Sequence, residues 1–341
     1  MTGAFALVLA EAAASGGSSS GAPAALVSIS PPVLFFFLGV LVVLVRSSIS
    51  IPEAATKLLS LYLLWAIGFK GGVELVGSGF SIAALKTVGL AMVLSVIVPV
   101  WGYALLRRLV AKRDAAALAA CYGSVSVVTF LTACAALDQN GTAYSGHMVA
   151  VMALMESPAI VLALVMLNLD RGGDREAQGP RLGTLLHESL LNGPVLLLLG
   201  SIVVGILTGE KGYAAFKPLC TDAFPGALAF FLLDLGMMAA RRAQEIWRVP
   251  RTVLAFAVVG PLVNAGLAIA GARQIGMSEG DAVLLAVLSA SASYIAAPAA
   301  LRLAIPKADP ALYVALSLGV TFPFNIILGI PLYAWAVKWL W

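Results

Sequence analysis

Ten apolar stretches follow one another along this chain: 32–49, 55–76, 82–106, 114–137, 145–169, 185–208, 223–241, 252–273, 281–302 and 310–337. A bilayer's hydrocarbon core is ~30 Å thick and asks for about 20 apolar residues per crossing helix. Inside it every backbone N–H and C=O must be satisfied within the protein, and stretches of this length meet that demand as helices. The joints are short, so no extramembrane domain fits between them. Charged residues make up 11% of the chain, against about a quarter in a soluble domain, which excludes a water-soluble globule. The expected fold class is an all-α integral membrane protein of about ten transmembrane helices.

The placement of positive charge orients such a chain. With the N-terminus outside, fifteen of the 21 Lys and Arg fall on the cytoplasmic side, Arg107, Arg108, Arg241 and Arg242 among them. Both termini are then expected outside, and the longest hydrophilic connection, 170–184, lies in the cytoplasm. Residues 1–30 read as an N-terminal extension, because a secretory signal needs a positive start and no Lys or Arg precedes Arg46. Cys121, Cys134 and Cys220 are far apart, and His147 and His187 lack the spacing of a metal motif, so neither a disulfide framework nor a zinc site is expected. No nucleic-acid partner is expected either.

The second half echoes the first at an offset of about 165 residues. Pro32-Val-Leu matches Pro194-Val-Leu, Gly68 pairs with Gly236, and Pro99 with Pro261. Asp114, Leu118, Ala119, Ser124 and Ser126 meet Asp281, Leu285, Ala286, Ser291 and Ser293 at one constant shift, and Tyr144 and Pro158 meet Tyr313 and Pro323. Two units result, 31–169 and 185–341, joined by 170–184. Each holds five spans, an odd number, so the second copy enters the membrane from the opposite face. Such inverted repeats are common among secondary transporters.

The fourth and ninth segments are too polar in the middle for ordinary spans: they hold Tyr122-Gly-Ser-Val-Ser126 and Ser289-Ala-Ser-Ala-Ser293-Tyr294, the latter followed by Pro298. A helix broken at mid-membrane frees backbone groups, tolerated only where the break lines a cavity or is buried in protein. Freed N–H groups and helix N-termini favour an anion, while carbonyls and hydroxyls suit a small cation. Ser124, Ser126, Ser291 and Ser293 are the candidate substrate-binding residues. Glu156 and Asn325 sit beside the matching prolines Pro158 and Pro323. A carboxylate at that depth points to a cation or proton partner, so Glu156 and Asn325, with Thr129 and Tyr294, form the candidate cation-coupling set. Asp234 is expected to pair with Arg241 or to serve as another proton site, and Lys70 to snorkel to the interface.

The motifs Ile51-Pro-Glu53, Gly68-Phe-Lys-Gly-Gly72, Tyr122 to Ser126, Met155-Glu-Ser-Pro-Ala159, His187 to Pro194, and Ser289 to Arg302 followed by Ala304-Ile-Pro306 resemble the sodium-dependent bicarbonate transporter (SbtA-like) family, in order from about residue 32 to the C-terminus. The resemblance implies a bacterial inner-membrane elevator. Spans 1, 2, 6 and 7 would be its gate domain, and spans 3–5 and 8–10 a core carrying the substrate. It further implies a homotrimer, bicarbonate at the serine-bearing breaks, Na+ as coupling ion and a cytoplasmic PII-like regulator. Where the family carries an acidic residue after the second serine run this chain has Tyr294, and Ala296, Ala297 and Ala300 follow, which implies a weaker cation site and a drier pocket.

The function expected is secondary transport of a small anion, foremost sodium-coupled bicarbonate symport. Proton- or sodium-coupled transport of another small carboxylate and cation/proton antiport are the alternatives. An antiporter usually needs more than one intramembrane acid at the crossing, and only Glu156 qualifies. An intramembrane serine hydrolase would need a base beside Ser124 or Ser126, and neither histidine lies deep in a span, so no catalytic residue is assigned. A noncatalytic sensor would show no solute flux.

Overall fold

The computed structural model describes residues 31–78, 82–156, 158–170, 193–247 and 249–341, and every regular element among them is helical. The N-terminal extension, most of the 170–184 connection and the start of the sixth segment with His187 lie outside the described residues.

The helices, in chain order, are α1 Pro31–Leu44, α2 Glu53–Ser78, α3 Ile82–Leu106, α4 Lys112–Gly123, α5 Val127–Gln139, α6 His147–Met155 and α7 Pro158–Asp170. They continue with α8 Gly193–Lys217, α9 Phe224–Ile246, α10 Arg251–Ile275, α11 Glu279–Ala290, α12 Ala296–Ala304 and α13 Pro310–Leu340. Among the described residues seven helical runs are long and apolar enough to cross a membrane: Glu53–Val76, Ile82–Leu106, Lys112–Gln139, His147–Leu167, Leu196–Ala243, Arg251–Ile275 and Pro310–Leu340.

The difference from ten has local causes. The first segment stops early at Leu44, where Arg46 adopts φ 56° and Ser47 and Arg46 donate to the carbonyls of Val42 and Val43. That is a left-handed cap of the kind glycine usually supplies. The run Leu196–Ala243 takes in both the sixth and the seventh segment: Gly209 (φ 56°, ψ −154°) leaves the helical region and kinks the chain, and a π stretch, Pro218–Asp222, leads on into α9. The ninth is divided between α11 and α12.

Packing sorts the helices into two groups. In the first, α1 lies along α9 and α2 along α8, with α9 also against α2. Glycines let the backbones touch: a Cβ on Gly39 would stand 2.0 Å from the Leu233 carbonyl oxygen, and one on Gly236 2.0 Å from that of Phe36. Between α2 and α8, Gly72 and Gly205 do the same against the carbonyls of Ile202 and Phe69, at 2.1 and 2.3 Å. Small residues at helix contacts are how membrane helices gain van der Waals packing without a hydrophobic drive between them. Asp234 on α9 accepts from the Thr56 hydroxyl of α2 at 2.7 Å rather than pairing with Arg241. The Tyr62 hydroxyl of α2 donates to the Leu219 carbonyl.

The second group holds α3 to α7 and α10 to α13. Its centre is α4 and α11, buried on every side from Ala115 to Gly123 and from Gly280 to Ala290. Both are rich in alanine, which lets α3, α7, α10 and α13 close around them. The start of each is tied to a distant part of the chain. Asp281 on α11 accepts from Ser145 N at 2.7 Å and Ser145 Oγ at 2.8 Å, and Asp114 on α4 accepts from Asp309 N at 2.9 Å. A carboxylate in the first turn also suits the positive end of the helix. Lys70, expected to snorkel, instead bridges the groups: its Nζ lies 3.8 Å from Glu74 on its own helix and 3.9 Å from Asp138 at the end of α5.

Candidate substrate site at the crossed helix breaks

Serine hydroxyls compete with the backbone for hydrogen bonds and so favour helix ends over helix interiors. The helix α4 stops at Gly123, and Ser124 and Ser126 are extended (ψ 171° and 110°) before α5 begins. Ser126 caps α5, its Oγ accepting from Thr129 N at 3.2 Å and from Thr129 Oγ1 at 2.9 Å. In the second break α11 stops at Ala290, Ser291 is extended (ψ 166°), and α12 starts at Ala296 with Ala297 N donating to Ser293 Oγ at 3.1 Å. Pro298 falls in the first turn of α12, where a missing N–H costs little.

The two breaks bond to each other. Ser126 N donates to Ser291 Oγ at 2.8 Å, and Ser291 Oγ donates to Leu288 O at 2.8 Å. Ser293 N donates to Cys121 O at 2.8 Å. The N-termini of α5 and α12 are thereby held at one crossing, each carrying a partial positive charge. Ser124, Ser126, Ser291 and Ser293 are at most 4% exposed. None of them forms an ion pair among the described residues, so the crossing is lined by neutral donors and helix ends.

The flanking residues divide in role. Ser124 Oγ donates to the backbone carbonyl of Glu156 at 2.8 Å, which brings α6 to the first break. The Glu156 side chain is 6% exposed and forms no ion pair among the described residues. Asn325 is held at both ends of its amide: Nδ2 donates to Ala290 O at 2.9 Å and Oδ1 accepts from the Tyr333 hydroxyl at 2.9 Å. It ties α13 to the end of α11. Thr129 spends its N–H and hydroxyl on Ser126. Tyr294 packs its ring edge-on against Phe322, centroids 5.3 Å apart, and its buried hydroxyl stands beside Ser126 without a hydrogen-bond partner. Ser289 Oγ, in the last turn of α11, is likewise buried and unpartnered.

Sequence reading missed one contributor. Thr321 lies in a π stretch of α13, Ser317–Thr321, and meets the Tyr122 hydroxyl at 2.6 Å while donating to Ala257 O at 2.7 Å. A second π stretch, Asn325–Gly329, follows at once. Single-turn π segments inside helices are frequent at functional sites. These bring Thr321 and Asn325 onto the ends of α4 and α11. Pro323 between the two stretches was the only hint of them in the sequence.

An all-helical, multi-pass protein with two interrupted helices crossing inside a buried group of helices defines a membrane transporter class. The chain belongs to the Na+-dependent bicarbonate transporter superfamily, whose family model matches residues 31–338. Membership implies sodium-dependent bicarbonate transport with Na+ as the coupling ion. Comparison with curated proteins finds no match.

Proposed function

We propose that the protein is an elevator-type symporter taking up bicarbonate with Na+. The observation that carries this reading is the crossing itself: two breaks bonded to each other, which brings two positive helix ends together where an anion is stabilised. An anion moving inward against an inside-negative potential loses about 2.3 kcal/mol per 100 mV, so a coupling cation is required.

In this reading α1, α2, α8 and α9 form the gate, and α3 to α7 with α10 to α13 form the moving core. Ser124, Ser126, Ser291 and Ser293 serve the anion, and Glu156 serves the cation. Reciprocal features about 165 residues apart support an inverted five-plus-five repeat. Gly39 and Gly205 mirror each other in the gate contacts, as do Gly72 and Gly236, which makes Gly72 rather than Gly68 the counterpart of Gly236. Asp114 and Asp281 play matching parts at α4 and α11. The charge distribution supports both termini outside a bacterial inner membrane, and the resemblance supports a homotrimer with a PII-like regulator.

The test is uptake of radiolabelled bicarbonate by the purified protein in proteoliposomes under an inward Na+ gradient. Uptake indifferent to Na+ would sink the sodium-coupled version. The buried Glu156 carboxylate, without an ion pair among the described residues, favours one second reading, symport of a small carboxylate or bicarbonate driven by protons. Uptake driven by a pH gradient in Na+-free buffer would select it.

A further inference from the structure

Proline has no N–H to give, so inside a helix it leaves the carbonyl four residues earlier without its usual partner. Pro261 lies inside α10, and the carbonyl it frees is that of Ala257, a fully buried residue. A buried carbonyl needs another donor. Here the donor is Thr321, whose hydroxyl reaches Ala257 O at 2.7 Å from the first π stretch of α13. A hydroxyl has one proton, and Thr321 has given it. The 2.6 Å contact between Thr321 Oγ1 and the Tyr122 hydroxyl therefore runs one way, with Tyr122 donating. One ordered chain, from Tyr122 through Thr321 to Ala257 O, joins α4, α13 and α10 inside the buried group of helices.

Tyr122 stands in the last turn of α4, between two of the bonds that set the crossing. Cys121 O accepts from Ser293 N at 2.8 Å, and Ser124 Oγ donates to Glu156 O at 2.8 Å. The Tyr122 ring packs on Phe256 of α10 with centroids 5.0 Å apart. The internal repeat points to the same place. Pro158 and Pro323 are matched positions, and Glu156 and Thr321 each precede their proline by two residues. Both come to the end of α4, Glu156 at Ser124 and Thr321 at Tyr122.

We propose that Thr321 is a positioning residue for the anion site: its hydroxyl fills the gap that Pro261 leaves in α10 and, through Tyr122, holds the end of α4 at the crossing. The π stretch has a purpose in this assignment, since it sets Thr321 between a freed carbonyl and a tyrosine. Thr321 acts on the anion through Tyr122 and the first break, without touching it. The assignment rests on the transport reading above and adds to it what keeps the first helix end in place.

The experiment compares wild type, Thr321→Ser, Thr321→Val, Tyr122→Phe, Pro261→Ala and the Pro261→Ala/Thr321→Val double variant. Melting temperature is measured in detergent, and the KM of Na+-driven bicarbonate uptake in proteoliposomes. Thr321→Val keeps the shape and drops the hydroxyl, so Ala257 O loses its donor and Tyr122 its acceptor. Its melting temperature should fall and its KM rise about three- to tenfold, the range one buried hydrogen bond spans. Thr321→Ser, which keeps the hydroxyl, should match wild type in both. With alanine at 261 the helix supplies its own N–H to Ala257 O, so Thr321→Val should cost clearly less melting temperature in that background than in wild type. The KM of the double variant should stay raised, because Tyr122 still lacks its acceptor. Tyr122→Phe keeps the ring on Phe256 and should raise KM by a similar factor. A KM that returns to the wild-type value in the double variant makes Thr321 a stabiliser alone and overturns the proposal, as does an unchanged KM in Thr321→Val and Tyr122→Phe. An equal melting-temperature loss in both backgrounds overturns the filling of the proline gap. Each of these failures leaves transport standing, whereas absence of Na+-driven bicarbonate uptake by wild type overturns the transport reading and the positioning role with it.

Discussion

Ser291 occupies the most consequential position at the residue scale, because one hydroxyl closes a bond in each half of the chain. It accepts from Ser126 N and donates to Leu288 O, both at 2.8 Å. Ser291→Ala leaves a buried backbone N–H without a partner, which costs about 1–3 kcal/mol. The variant should melt several degrees lower in detergent, and lower than Ser293→Ala, whose lost bond to Ala297 lies within one break rather than between the two. Equal effects of the two would show that Ser291 is not the link between the breaks. Glu156 differs in kind: it is buried without a counter-charge, so Glu156→Gln keeps the shape and removes only the charge. Its expected outcome is an altered Na+ or pH dependence of uptake at near-normal expression, and an unchanged profile would make Glu156 structural. The four serines and Glu156 were legible in the sequence because polar residues inside an apolar run are conspicuous. Asn325 was conspicuous for the same reason, but the partners of its amide were not legible, since residues 35 and 8 positions away meet it only as α13 packs.

At the scale of elements, the closest contacts are those of glycine. A Cβ on Gly236 would overlap the Phe36 carbonyl oxygen, and that oxygen belongs to a helix backbone that cannot swing aside. Overpacking of this kind costs about 1–3 kcal/mol, so Gly236→Ala should lower the melting temperature. Gly200→Ala on α8, where a Cβ meets nothing within 4 Å, should be neutral and serves as the control. The locations of the apolar segments were readable because bilayer thickness sets their length. Where they end was less so. Arg46 closes α1 in a backbone region that few side chains adopt, and no sequence rule would choose an arginine there. The path from α8 to α9 was less legible, because a kink at Gly209 and a π turn at Pro218–Asp222 stand where a plain loop would be expected.

At the scale of the whole molecule, the division into two groups of helices predicts which restraints are tolerated. Thr56 and Asp234 touch within the first group, while Phe36 and Phe322 touch across the boundary with ring centroids 5.5 Å apart. A flexible thiol cross-linker cleavable by reductant, joining cysteines at 56 and 234, should leave much of the uptake intact. The same cross-linker between cysteines at 36 and 322 should abolish uptake until it is cleaved. Uptake that survives the second cross-link would argue against motion of the two groups past each other. The internal echo of the sequence pointed to two related halves. It could not show that the halves interlock, because interlocking is a matter of which hydrogen bonds form and not of which residues recur.

That interlocking has a consequence for how the protein is made. The bond from Ser126 N to Ser291 Oγ spans 165 residues of chain, and those from Ser145 to Asp281 and from Asp309 to Asp114 are nearly as long or longer. At a synthesis rate of about 5–20 residues per second, the first broken helix is complete roughly 10 to 30 seconds before its partner leaves the ribosome. During that interval its unpaired backbone groups face lipid or the insertion machinery. A nascent first half should therefore be held at the translocon, and the membrane-embedded chain should become resistant to protease only after the second half has been inserted.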